Sequence, residues 1–166
     1  GILIEPQKEL EKRLKCDTCE DCYSVPPDSL QQEIAHINGL FQYMIANTDW
    51  SVEKLRNINL MKMDSQNLYL PIPYDFDFCG LVSAPYAYPQ PDFQLEHIRD
   101  RIYLGSAKED AELQDTIYYF KSKKAALLNT VHAFDLLSKS SRNDIAGFIE
   151  SFFDSIEQEG LTRWNP

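Results

Sequence analysis

Arg56-Asn57-Ile58-Asn59-Leu60-Met61-Lys62-Met63-Asp64-Ser65-Gln66-Asn67-Leu68-Tyr69-Leu70-Pro71-Ile72-Pro73-Tyr74 is the stretch that decides the architecture. Two extended runs, Arg56 to Met63 and Leu68 to Tyr74, flank the turn-forming Asp64-Ser65-Gln66-Asn67, which predicts a β-hairpin. With a four-residue loop Met63 faces Leu68, Leu60 faces Pro71, Asn57 faces Tyr74 and Arg56 faces Asp75. Pro71 and Pro73 remove two N–H groups that point the same way, so the second strand pairs on one side and is otherwise a sheet edge. An isolated hairpin or small ribbon is expected.

Upstream of it, Pro26-Pro27 precedes a helix whose capping box is expected at Ser29 and Gln32. Leu30, Ile34, Ile37, Phe41, Met44 and Ile45 form one apolar stripe, so the helix packs on a core and ends near Asn47. Earlier still, Ile2 to Ile4 reads as a short strand, Glu5 to Lys15 as a surface helix and Cys16 to Pro27 as loop. Downstream, Gly80 to Phe93 carries Pro85, Tyr86, Tyr88, Pro89 and Pro91 and predicts an ordered loop without regular structure. Ser106 and Glu109 suggest a second capping box ahead of Leu113, Ile117, Phe120, Ala125, Leu128, Val131 and Leu137 in one or two helices. Ser141 and Asp144 offer a start for a last helix with Ile145, Phe148, Ile149, Phe152 and Ile156, ended by Gly160. The fold class expected is α+β, mainly α-helical with one β-hairpin. Residues 1–166 are read as a single domain: 1–27 peripheral, 28–105 bearing the motifs, 106–166 helical.

With 166 residues, 43% apolar content, nine Phe, nine Tyr and two Trp, the chain can bury a core. A net charge of −10 argues against a nucleic-acid partner, which needs clustered Lys and Arg. No apolar run approaches the roughly 20 residues that span a bilayer, so no transmembrane segment is expected and the chain reads as soluble. The start at Gly1, inside an apparent strand, suggests a portion of something longer. An exported or periplasmic location within such a precursor stays open.

The chemistry-bearing residues bracket the hairpin. Asn47-Thr48-Asp49-Trp50 closes the helix, Asn57 follows eight residues after Asp49, and Asp75-Phe76-Asp77-Phe78 follows the second strand. The register sets Asn57 beside Asp75 at the open end of the ribbon, and in extended chain Asp75 and Asp77 point to the same side. Asn57, Asp75 and Asp77 are hard oxygen ligands of the kind magnesium takes together with phosphate and water. Asp49 is then placed to accept or orient the proton of an attacking hydroxyl while the metal neutralises a transferring phosphate.

Phe41 to Val52, Asn57, Pro73-Tyr74-Asp75-Phe76-Asp77-Phe78, Gly80-Leu81-Val82 and Ala84-Pro85-Tyr86-Ala87 together give this chain a family likeness. It resembles uncharacterised bacterial proteins distantly related to the CotH spore-coat kinases, which are in turn similar to HipA-type and secretory-pathway atypical kinases. The resemblance covers about Leu40 to Gly105 and implies the C-terminal lobe of such a kinase, with the flanking helices fitting that lobe. It implies a phosphotransferase using a nucleotide and magnesium on the hydroxyl of a small molecule or protein. Asp49 matches the catalytic Asp, Asn57 the metal-binding Asn and Asp75 the metal-binding Asp, with Asp77 the alternative for that last role. Two departures stand out: Trp50-Ser51 occupies the place where these kinases carry Arg-His, and the Asp49 to Asn57 step exceeds the roughly five residues of the protein-kinase catalytic loop. No Gly-rich loop and no Lys with a helix Glu partner precede Asp49, so a companion N-terminal lobe is the implied partner and the isolated chain is expected to be inactive. The contrasting expectation is a non-enzymatic helical binding module or pseudokinase whose Asp and Asn residues are caps and Asx-turns.

Other groups carry weaker signals. Cys16, Cys19 and Cys22 form a C-x2-C-x2-C run, and with Cys79 they make a possible zinc or iron–sulfur set. The flanking Asp17, Glu20 and Asp21 and the single run argue against it. Free loop cysteines are expected, with a disulfide between two of them as the alternative for an exported protein. His36 reads as a solvated helix residue. Arg99 or Arg101 is a candidate to meet phosphate or pair with Asp77, a surface salt bridge being the simpler role. The Pro and Tyr loop reads as a brace on the core.

Overall fold

The computed structural model of the protein describes residues 5–63, 67–158 and 160–163. The expected strand at Ile2 to Ile4 and the turn residues Asp64, Ser65 and Gln66 lie outside them. In chain order the regular elements are α1 (Gln7–Leu14), β1 (Cys16–Cys19), α2 (Gln32–Met44), β2 (Ile58–Met63), β3 (Tyr69–Pro73), α3 (Gln114–Ala133) and α4 (Lys139–Gln158), with short 3₁₀ turns at Pro27–Ser29, Pro91–Phe93 and Asp110–Leu113. The class is α+β and mainly helical.

The hairpin has the register the sequence dictates. Leu60 lies opposite Pro71 and Lys62 opposite Tyr69, while the Met63 N–H donates to Leu68 O at 3.0 Å and the Tyr74 N–H to Asn57 O at 3.0 Å. Pro71 and Pro73 face the outer edge, as their missing N–H groups require. The ribbon is nevertheless wider than a hairpin, because Cys16–Cys19, expected as loop, adds antiparallel to β2 in the order β1-β2-β3. Cys16 is buried beside Met61 and Leu70, and Leu10 and Leu14 of α1 cover that small cluster. Alternation over four residues, half of them cysteine, is too short to signal a strand by period; the open edge of β2 supplies the partner.

Helix starts follow the side chains that reach free N–H groups, not the expected boxes. At α2 the Gln31 side chain accepts from the Ile34 N–H at 2.7 Å, and Gln32 turns back to donate to Pro27 O and Leu30 O, displacing the Ser29 and Gln32 box. Glu109 pairs reciprocally with Glu112 where Ser106 was expected to cap. At α4 the Ser138 hydroxyl accepts from the Ser141 N–H at 3.0 Å, three residues before the expected start. α2 ends at Met44, short of Asn47, because Ala46 takes a left-handed conformation (φ 51).

α2 is the central element. One side packs Leu40, Tyr43 and Met44 against Phe120 of α3 and Phe152 and Phe153 of α4. Its N-terminal half packs Ala35 with Leu30, Trp50, Ile58 and Leu60 beneath the sheet. Phe152 and Phe153 are fully buried with ring centroids 4.9 Å apart, each worth about 1.5–3 kcal/mol in transfer from water.

Candidate functional site

The end of α2 is fixed from inside. Asn47 is buried, donates from Nδ2 to Gln42 Oε1 at 2.9 Å and accepts the Asp49 N–H on Oδ1 at 3.0 Å. Thr48 and Trp50 are buried on either side of Asp49. Asp49 is therefore held between two anchored neighbours with its own carboxylate half-buried, 22% exposed. Trp50 packs in the cluster of Leu30, Ala35, Ile58 and Leu60.

The long step from Asp49 to Asn57 has a structural explanation. Ser51 and Arg56 exchange backbone hydrogen bonds, each 2.9 Å, and the Lys54 N–H donates to Ser51 Oγ, which pinches Val52 to Leu55 into a closed excursion. With those residues looped out, Asn57 returns to Asp49: its Nδ2 donates to Asp49 O at 2.7 Å and to Asp49 Oδ2 at 3.0 Å. The other carboxylate oxygen accepts from Gln90 Nε2 at 3.1 Å and lies 3.4 Å from Arg56 Nε. Neither Gln90 nor Arg56 stood out in the sequence. Pro89 and Pro91 restrict the backbone on either side of Gln90 but carry no sign of what its side chain bonds.

Past the end of the second strand Asp75 is exposed and left-handed (φ 56); the half-buried Asn57, opposite Tyr74, is left-handed too (φ 52). Asn and Asp tolerate this region better than most residues. The turn at Asp75 means the chain is not extended there, so the premise that aligned Asp75 with Asp77 fails. Asp75 Oδ1 accepts from the Asp77 N–H at 3.3 Å as an Asx-turn, and Asp77 Oδ2 accepts from the Tyr86 hydroxyl at 3.2 Å. That bond, strongest of the influences on Tyr86, holds its phenol above the ordinary value. The segment beyond is tied to the end of α2: the Gly80 N–H donates to Ala46 O at 3.1 Å and the Leu81 N–H to Ile45 O at 3.0 Å. A Cβ at Gly80 would lie 2.6 Å from Ile98 O and 2.9 Å from Ala46 Cβ, so only glycine permits this crossing.

The donor set suits magnesium in chemistry: two carboxylates and an amide oxygen, with Asn57 spending its nitrogen on Asp49. Among the described residues no group of three His, Cys, Asp or Glu side chains assembles to hold a metal. Magnesium asks for less, one or two carboxylates completed by water and phosphate.

The two arginines do structural work instead of meeting Asp77. Arg99 forms a bidentate pair with Asp144, one arm at 2.8 Å, and donates from Nε to Gly80 O. Arg101 donates to Phe148 O at 2.6 Å, Ser151 Oγ at 3.1 Å and Met44 O at 3.2 Å, with its guanidinium 4.1 Å from the Phe148 ring centroid. His36 is half-buried with Nε2 enclosed and without a hydrogen bond, not solvated as expected. Cys19 and Cys22 form a disulfide, while Cys16 and Cys79 sit as buried residues in two different core clusters. Burial raises the Cys79 thiol.

No helix among the described residues is long and apolar enough to cross a membrane. No family model matches the chain, and neither a curated protein nor a solved structure matches it.

Proposed function

We propose that the chain carries the hydroxyl-orienting and metal-holding half of a phosphoryl-transfer site, in the manner of the C-terminal lobe of a CotH-like or HipA-like atypical kinase. One observation carries the reading: Asn57 reaches back across a pinched loop to bond both the backbone and the carboxylate of Asp49, at 2.7 and 3.0 Å, while the hairpin register sets Asn57 opposite Tyr74, next to Asp75. Helix end, Asp, Asn, hairpin and Asp then follow one another in the order such sites use. In this reading Asp49 orients the attacking hydroxyl of a small molecule or protein and takes its proton, and Asn57 keeps Asp49 in place. Asn57 Oδ1 and Asp75, with Asp77 as alternative, would hold magnesium, which supplies charge neutralisation on the nucleotide phosphates. The groups that cover those phosphates come from a companion lobe, because this chain has only Gly39 as a glycine between Gly1 and Asp49 and no Gly-rich loop there.

A second reading, a pseudokinase or helical binding module, is favoured by the saturation of Asp49. Both its carboxylate oxygens already have partners in Asn57, Gln90 and Arg56. Thermal shift with magnesium and ATP on the longest native form separates the two. The phosphotransferase reading expects Tm to rise with nucleotide only when magnesium is present, and the rise to vanish in Asp75→Ala. Equal shifts in both proteins, or none in either, overturn it.

A further inference from the structure

Residues 121–145 form a helical arm, the greater part of α3, the turn after it and the start of α4, in which no residue is buried. Leu127, Leu128, Val131 and Ile145 pack only partly against the core. At the end of the arm Phe134 is 49% exposed and Leu136 84%, the most exposed large apolar side chain among the described residues. Residues 132–136 and 138–140 are all exposed, so this end is convex.

Charge divides along the same line. The arm holds Lys121, Lys123, Lys124, Lys139 and Arg142 against Asp135 and Asp144, a net +3 in a chain of −10, which leaves −13 for the rest. Lys121 pairs with Glu157 and Asp144 with Arg99, but Lys123, Lys124, Lys139 and Arg142 make no ion pair among the described residues. Lys139 stands in the first turn of α4, where the helix dipole opposes a cation, and no acid in that turn offsets it. A charge set against the local rule without a partner in the fold is what a functional position looks like. Lys123 lies eleven positions before Phe134, about three helical turns, and so shares its side of α3.

We propose that this arm docks the protein on an anionic lipid surface, dipping Phe134 and Leu136 into the interface while Lys123 and Lys139 meet the head-group phosphates. A protein partner would need a groove shaped to a convex end, whereas the head-group layer closes around projecting apolar side chains without one. Two apolar side chains and a few cations make a weak, reversible anchor in which both contributions are needed. The acidic body repels such a surface, so contact runs through the arm alone. Asp135, exposed between the two apolar residues, opposes the contact. Asp49, Asn57 and Asp75 lie outside the arm, and the inference does not rest on the phosphoryl-transfer reading.

Flotation of the full chain with vesicles of equimolar phosphatidylglycerol and phosphatidylcholine, and with vesicles of phosphatidylcholine alone, tests this. The chain should float with the mixed vesicles only. Raising salt from about 0.1 to 1 M, which shortens the screening length from about 10 to 3 Å, should release it. Leu136→Asn should weaken binding about tenfold, Lys123→Gln with Lys139→Gln by at least as much, and Asp135→Asn should strengthen it several-fold. These side chains are exposed, so an unchanged Tm is expected to show that the variants fold. Equal flotation with both vesicle types, or undiminished binding by Leu136→Asn, overturns the proposal. So does the absence of flotation, which leaves an acidic protein surface as the partner of the arm.

Discussion

Tyr103 illustrates what a single buried hydroxyl contributes. It is 4% exposed, its OH lies against Gly39 and Gly105, and it makes no hydrogen bond of good geometry. Burial lifts its phenol from the ordinary 10.0 to about 12, the Ala107 N–H and the Arg163 charge opposing the shift weakly. A folded-state value above the unfolded one means that the associated stability is fully present below pH 10 and is lost as pH rises toward 12. Two units correspond to about 2–3 kcal/mol. Tyr103→Phe should therefore be neutral or slightly stabilising at pH 7 and should flatten the alkaline limb of the urea-unfolding profile between pH 10 and 12. A steep limb retained in the variant would contradict this account. At the same scale, the contact of Asn57 with Asp49 was legible in the sequence, the two being eight residues apart on either side of a turn; Asp75 bonds the Asp77 N–H. Gln90 was not legible, being a neutral residue 41 positions from the carboxylate it bonds.

Among elements, the junction of α2 and α4 depends on Arg101. It joins the last carbonyl of α2 to Phe148 and Ser151 of α4 and stacks on the Phe148 ring. Burial brings its pKa down to about 10, which leaves it charged at neutral pH. Arg101→Met keeps the length and apolar stem but loses three hydrogen bonds and leaves Met44 O and Phe148 O without this donor. It should cost about 2–4 kcal/mol in urea unfolding, with little change in the slope that reports exposed surface. A loss under 1 kcal/mol would show the junction is held by the aromatic core alone. The elements read best from sequence are those with a sustained period, α2, α4 and the hairpin, because periodicity and turn chemistry are local. β1 escaped notice because four residues bounded by cysteines acquire strand form only from β2, and the caps shifted because several Ser, Gln and Glu side chains compete for the same N–H groups.

For the whole molecule, the excess of acid side chains governs response to pH. Bonds to Arg13, Thr18, the Glu109 and Lys108 N–H groups and Arg99 lower Glu5, Glu11, Glu112 and Asp144 respectively below their ordinary values. Depressed folded-state values give stability that is present above the unfolded values of 4.5 and 3.8 and is lost as pH falls through the folded ones. Diffuse repulsion among the acids is screened within about 8 Å at physiological salt, so these direct bonds decide the sign. Tm should fall as pH is lowered from about 5 to 3, and Asp144→Asn, which removes the pair between Arg99 and α4, should reduce that dependence. A Tm that rises on acidification would reverse the argument. The overall order of helix, hairpin and helical end was legible, since neighbouring segments pack together; the Arg99 to Asp144 pair and a cavity beside Trp50 arise from distant residues with no common pattern. The outer edge of β3 has a consequence of another kind. The Gln31 N–H already takes Tyr69 O on that rim at 2.9 Å, and the prolines at 71 and 73 remove the next two donors, so a strand from another copy finds no complete ladder to extend. Crowding many copies together should thus not seed fibrils along β3: the residues that close the sheet also guard the chain against itself.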